Sequence, residues 1–225
     1  LADDIQVTSN HLDIQAELSS PGAVLRIATL TPAAGSLQYD IVIGGHDLGS
    51  AGTALYLSLQ EIDRLQEGFS QIVLGNGQAG QTVVLQGLTD AATAASSPVV
   101  FKDPVLVDLS GAGSKLGLTG QVQGQSLLVV GTGATTVLLA ADLRMSGNIT
   151  VGGTLKVANA SAITSTAGNL VLGEITGLKG AADPAEVLSL SANGGNLVVN
   201  GSVHDLDGLL VRQAVDVTFN ETVSI

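Results

Sequence analysis

The residues of this sequence with the chemistry to do more than pack are three histidines and a few acids. In His204-Asp205-Leu206-Asp207-Gly208, two carboxylates lie two positions apart beside an imidazole. Asp205 and Asp207 could offer oxygens to calcium, which takes about six to eight. Two acids fall short of that set even with carbonyls added, and Asp-Gly is ordinary turn chemistry. Asp205 and Asp207 are therefore weak metal candidates, and neither a metal nor a cofactor is expected. His46-Asp47 sits in a Gly-rich stretch of the same turn-forming kind. His11 falls in Asn10-His-Leu-Asp-Ile14, whose alternation reads as a strand with the imidazole facing solvent. A hydrolytic triad needs Ser, His and an acid converging from separate places. Serines are plentiful, but no G-x-S-x-G elbow occurs. No catalytic residue is expected.

Gly75-Asn-Gly77-Gln-Ala-Gly80 matches G-x-G-x-x-G. A dinucleotide site needs a helix to open there, with its N-terminus on the pyrophosphate. The next residues, Gln81-Thr-Val-Val-Leu-Gln86, have a strand pattern instead, so the motif reads as a turn. Sugar processing needs clustered acids and aromatic platforms. This chain has scattered acids, no Trp, and only Tyr39 and Tyr56. N-x-S/T occurs at Asn148, Asn159 and Asn220, and matters only in a eukaryotic secretory route.

Composition narrows the class further. Of 225 residues, 45% are hydrophobic but only 2% aromatic, so the apolar mass is Val, Leu, Ile and Ala. Eight basic against 20 acidic residues leave a net charge of −12. That excludes a nucleic-acid binder, which needs cations to displace counterions, and disfavours docking on anionic membranes. The absence of cysteine excludes a disulfide framework, a Cys-based zinc site and a thiol nucleophile. The uncharged stretch Leu116 to Ala141 is long enough to span a bilayer. Gly and Gln interrupt it at strand-like intervals, so it reads as buried strands and turns rather than as membrane insertion. Leu1 in place of Met suggests a processed product or a segment of a longer protein.

The elements that must position these residues form a repeat. A polar residue, alternating apolar residues, a small or polar turn and another apolar residue recur at Lys115–Gly124, Ser126–Thr135, Asn148–Val157, Asn169–Leu178, Asn196–Asp205 and Asp216–Ile225. The steps between their starts are 11, 22, 21, 27 and 20, with extra turn residues Gly180–Glu186 inside the long one. A period of 20–22 with two or three short strands describes one coil of a parallel β-helix. Stacking coils about 4.8 Å apart buries each apolar face and completes the hydrogen-bond ladder. The expected fold is all-β: one domain over 1–225, a right-handed parallel β-helix of about nine or ten coils, roughly 45 Å long. A Greek-key β-sandwich is the rival. V-x-F-x-acid-x-V occurs at Val99–Val105 and again at Val217–Val223, in keeping with coils.

One helix is expected, at 58–67, inside an inserted excursion over 40–70. Ser58 and Glu61 form a capping box, with Leu57 and Ile62 at the staple positions. Leu59, Ile62 and Leu65 share one face, and Gly68 ends the helix.

The stretch from Ile43 to Gly87 resembles a module of filamentous haemagglutinin-like bacterial surface adhesins. The likeness rests on Leu57, Ser58, Glu61, Ile62, Leu65, Gln66, Glu67, Gly68, Phe69, Ile72, Leu74 and Gly75, and on the V-x-F-x-acid-P-V segment at 99–105. The chain departs from that family at Gly75–Gly80 and lacks its relatives' calcium nonapeptides. The resemblance implies a secreted, right-handed β-helical stalk or fibre at the cell surface. The expected function is structural or adhesive, not enzymatic. The alternatives are a β-helical carbohydrate-active enzyme and a tail-fibre-like receptor-binding module. The apolar pattern Val215, Val217, Phe219, Val223, Ile225 runs to the last residue without a cap. The expected partner is therefore another coil, either end-to-end self-association in a filament or continuation in a longer chain, with a host or surface receptor besides.

Overall fold

The computed structural model describes residues 3–30, 40–44, 54–89, 96–178 and 185–225. They are nearly all β. Strands pair in parallel ladders, apart from one small antiparallel pair, Leu88–Thr89 with Ser96–Ser97. A 16-stranded parallel sheet curls on itself, and a six-stranded parallel sheet closes the third side. This is the architecture of a parallel solenoid, and the Greek-key rival is set aside: its antiparallel pairing is absent from every main ladder among the described residues.

Three inward rows show how coils stack. The first runs Ile5, Leu25, Ile72, Val105, Leu127, Ile149, Leu170, Leu197, Val217. The second runs Leu55, Ile41, Val83, Leu116, Val137, Leu155, Ile175, Val203, Val223. The third, six deep, runs Val99, Val122, Leu143, Ile163, Leu190, Val211. Coils are numbered by their place in the first row, from first to ninth. Nearly every inward residue between Leu25 and Val203 is buried, each contributing about 1.5–3 kcal/mol. Flat aliphatic shapes stack on their own kind at strand spacing, which accounts for the scarcity of aromatics. Nine ranks at strand spacing give a rod of about 38 Å.

From the fourth coil onward, first-row residues 105, 127, 149, 170, 197 and 217 are 22, 22, 21, 27 and 20 apart. The sequence step of 11 is a change of side: Lys115–Leu118 lies in the second row, whereas Leu127–Gly131 lies in the first. The two V-x-F-x-acid-x-V segments likewise differ in place. Val99 belongs to the third row and Val105 to the first, whereas Val217 and Val223 belong to the first and second. Their likeness is therefore one of local pattern and not of position in the coil.

Corners are held by two devices. Asn and Asp side chains accept backbone N–H groups from the next coil where the ladder turns away. Asn148 accepts from Asn169 at 2.8 Å, Asn169 from Asn196 at 2.9 Å, Asp4 from Val24 at 3.0 Å and Asp142 from Ala162 at 2.8 Å. Glycine serves where strand Ile149–Val157 bends from the first row into the second. Gly153 has φ +88°, and a Cβ there would lie 2.5 Å from the Thr135 carbonyl oxygen, so no side chain fits.

The beginning of the solenoid departs from simple climbing. Asp40–Ile43 pairs with Thr82–Leu85 on one edge and with Ala54–Leu57 on the other. Ala54–Leu57 therefore lies two ranks out from Thr82–Leu85, level with Ile5–Thr8: the chain steps back one coil and then returns. The return passes through α1 (Leu59–Asp63), whose capping box is formed as expected. The helix is shorter than the expected 58–67, because Arg64 is already its C-cap and Gly68 lies beyond it. Leu65 forms a parallel bridge with Leu18, in which Leu18 N–H donates to the Arg64 carbonyl and Gln66 N–H to the Leu18 carbonyl, both at 2.9 Å. Pairing with a neighbouring segment thus takes the backbone groups that a longer helix would have used.

Candidate functional site

A set of mutually bonded polar and titratable side chains lies on the outside of the second row, across three coils. Thr154 comes from the sixth coil, Glu174 and Thr176 from the seventh, and Ser202, His204 and Asp205 from the eighth. Parallel register puts Thr154 beside Glu174 and Thr176 beside His204. His204 Nδ1 is 2.8 Å from Asp205 Oδ2, and Nε2 is 3.3 Å from Glu174 Oε1. The Thr154 hydroxyl donates to Glu174 Oε2 at 2.7 Å, and the Ser202 hydroxyl reaches Oε1 at 3.5 Å. Asp205 adopts φ +63°, the only positive φ outside glycine among the described residues. That turn swings its carboxylate back onto the preceding ring.

The Asp205 carboxylate, then that of Glu174, holds the His204 imidazole above its ordinary value. The Thr154 hydroxyl, then His204, holds the Glu174 carboxyl below the usual range. The three charged groups do not converge on one point, since the acids occupy opposite ring nitrogens. Among the described residues no cluster of three or more His, Cys, Asp or Glu is placed to hold a metal ion. With a carboxylate facing each nitrogen the protonated ring is favoured, and an imidazolium has no lone pair to offer as a general base. The arrangement is that of a charge-paired fastening.

Asp207 is bonded to the neighbouring coil: Glu186 N–H donates to its Oδ2 at 2.9 Å, and Asp207 N–H donates to the Glu186 carbonyl at 3.1 Å. The buried Glu186 carboxylate in turn receives Leu178 N–H at 2.8 Å. Asp205 and Asp207, two positions apart in the sequence, thus point to different partners. His11 is exposed, but residues 10–14 form no strand. The alternation of exposure holds, with His11 and Asp13 exposed, Leu12 half-buried and Ile14 buried, but Ile14 is tied to Glu61 and Arg64 near the helix and not to a strand. His46 and Tyr39 lie outside the described residues. Gly75, Gly77 and Gly80 all have positive φ in the turn between Gln71–Leu74 and Thr82–Leu85, and no helix opens there.

A shallow groove lies on the outside of the third row, lined by Gln121, Gln123, Asp142, Arg144, Ala162 and Thr164. Gln123, Arg144 and Thr164 are successive rungs of one outward ladder. The groove holds one cation, one carboxylate, two amides and a hydroxyl, with no nucleophile and base paired.

The two ends of the solenoid differ. At the first coil, Leu55 is 0% exposed and Ile5 and Val7 are half-buried, and Ile62 of the neighbouring α1 is 2% exposed. Glu61 ties the segment around Ile14 to α1, accepting Ile14 N–H at 3.0 Å, while Arg64 donates to the Ile14 carbonyl. At the ninth coil, Val217 is 45% exposed, Val223 41% and Ile225 63%. The outer edges of Gly208–Gln213, Val217–Phe219 and Val223–Ser224 have no strand beside them among the described residues, as is also true of Ile5–Thr8 and Ala54–Leu57, so the two ends differ in side-chain burial and not in strand pairing. Sequence reading anticipated this apolar end. It missed Glu174, whose only signal was its position in the repeat, 20 residues after Thr154 and 30 before His204.

No helix of the described residues is long and apolar enough to cross a membrane. In comparisons with known proteins, the chain matches no family model, no curated protein and no solved structure.

Proposed function

We propose that this chain is a structural segment of a secreted or cell-surface protein, a right-handed β-helical rod that acts as a stalk. The observation that carries the reading is the unbroken stack of inward aliphatic rows, nine deep on two sides, over which outward chemistry is sparse. Such a stack resists bending because each coil is bonded to the next along its length. The right hand follows from the steric preference of parallel crossovers. Net charge of −12 keeps the rod soluble and opposes lateral clumping. The adhesive part of the reading rests on the resemblance of residues 43–87 to surface adhesins.

The stalk is better supported than the head-to-tail filament. A filament needs two free ends that fit each other, and at the first coil the Ile14 segment, tied to Glu61 and Arg64, lies beside the second-row side, where Leu55 is fully buried. The open end fits another coil stacked in parallel. Light scattering of the 225-residue chain over a wide concentration range tests this. A rod-like particle whose mass does not grow without limit is expected. An open-ended series of masses that Val217→Asp abolishes would restore the filament. Turnover of a polysaccharide, lost on changing a groove carboxylate such as Asp142, would replace the structural reading with the enzyme.

A further inference from the structure

We propose that His204, Glu174 and Asp205 form a proton-dependent clasp that fastens the sixth, seventh and eighth coils, so that the rod is held most firmly under mildly acidic conditions. The geometry carries this. Both neighbours of the ring are carboxylates, which only accept hydrogen bonds when ionised. Asp205 Oδ2 faces Nδ1 at 2.8 Å and Glu174 Oε1 faces Nε2 at 3.3 Å. Both contacts are hydrogen bonds only if both nitrogens carry protons, that is, if the ring is an imidazolium. A neutral ring turns one lone pair toward a carboxylate oxygen, and one contact becomes repulsive. Thr176 Oγ1, 3.4 Å from Nδ1, donates to the Gly177 carbonyl at 3.1 Å, and would have to give up that bond to turn its proton to a neutral ring, at a contact longer than the one Asp205 makes.

The clasp spans coils through its second acid. Glu174 sits between His204 of the eighth coil and the Thr154 hydroxyl of the sixth. Loss of the ring proton therefore loosens the contact between the eighth and seventh coils and leaves Glu174 held only by the Thr154 side.

The surrounding charges favour the protonated ring. Besides Glu174 and Asp205, the Glu186 carboxylate lies against Gly177, close to the Asp205 carbonyl. Among the described residues the nearest opposing cation in register is Lys156, one rung beyond Thr176. On the other edge, Val223–Ser224 puts the uncharged Ser224 beside His204.

The ordinary values are 6.5 for His204 and 4.5 for Glu174, the first raised and the second lowered in the fold. A raised histidine contributes stability that is complete below its unfolded value and is lost as pH climbs through the folded one. A lowered carboxyl contributes stability that is complete above its unfolded value and is lost as pH falls through the folded one. The clasp is therefore complete between about pH 4.5 and 6.5 and releases on either side.

The test combines a proton NMR titration of His204 with thermal unfolding across pH 5.5–9 for the parent chain, His204→Gln, Glu174→Gln and Asp205→Asn. His204 is expected to titrate above 6.5 in the parent, and each acid variant should lower that midpoint. Asn tolerates the left-handed backbone of position 205, so Asp205→Asn separates charge from turn geometry. The parent Tm should fall further between pH 5.5 and 9 than the Tm of His204→Gln. Two results would overturn the clasp: a His204 midpoint at or below the ordinary value, or parent and His204→Gln profiles that run parallel. If His204→Gln does not fold, Glu174→Gln replaces it in the Tm comparison with the same reading.

Discussion

The two ends of this solenoid are built from the same aliphatic coil and treated in opposite ways. At the first coil the chain steps back a rank, lays Ala54–Leu57 beside Asp40–Ile43, and ties the Ile14 segment to α1, which packs against Val99–Val100 at the start of the third row. At the ninth coil the same kinds of residue, Val217, Val223 and Ile225, stand open to solvent. A coil end is not intrinsically stable or unstable; what differs is whether side chains and backbone partners are supplied from elsewhere in the chain. The fastening devices are polar as much as apolar. Glu61 accepts from Ser58 and Ile14, and Asp103 accepts from Gly68 and Phe69, so both tie non-ladder backbone to the stack.

The largest contrast is expected when the same charge is placed at both ends. Ile62→Asp buries a carboxylate in α1 and is expected to cost about 3–5 kcal/mol. Val217→Asp, on the open end, should change stability by no more than about 0.5 kcal/mol. Urea unfolding of both variants measures the difference; equal losses would mean that the ninth coil is as closed as the first.

A smaller effect concerns how the α1 segment is fastened. Asp103 is buried and receives Gly68 N–H at 3.0 Å and Phe69 N–H at 3.1 Å. Asp103→Ala leaves both donors without their acceptor and should cost about 2–3 kcal/mol. Hydrogen exchange should show the Gly68 and Phe69 amides losing protection first. Unchanged protection there would mean that packing of Phe69 alone holds the segment.

The smallest effect concerns α1 itself. Ser58→Ala removes the side-chain acceptor of Glu61 N–H and one hydrogen-bond partner of the Glu61 carboxylate. A loss of about 1 kcal/mol is expected, visible as a modest shift of the urea midpoint. A loss as large as that of Ile62→Asp would show that the cap, and not the buried side chain, holds the α1 segment.

Much of this fold was legible in the sequence because a solenoid repeats its physics every coil. The steps of 22, 21, 27 and 20 between Ser126, Asn148, Asn169, Asn196 and Asp216 match the first-row spacing one residue on. The capping box was legible for the same reason, being a contact between residues three apart. The strand expected at His11 failed because alternation reports a face to bury and not the partner that buries it. Ile14 found that partner in the α1 segment, through Glu61, 47 residues away.

The amino-acid order alone settled whatever depends on neighbours in the chain or on one turn of the repeat: the β class, the coil length, the inward aliphatic rows, the cap at Ser58 and the apolar last coil. Tertiary structure was needed for what depends on the sum of unequal insertions. Such sums set which corner the segments at 99–105 and 217–223 occupy, that Ala54–Leu57 lies a rank behind Asp40–Ile43, that Leu65 leaves the helix to meet Leu18, and that His204 comes to rest between Asp205 and Glu174. Local propensity and period are read over a few residues, whereas register between coils is fixed by which stacked arrangement buries every inward row at once.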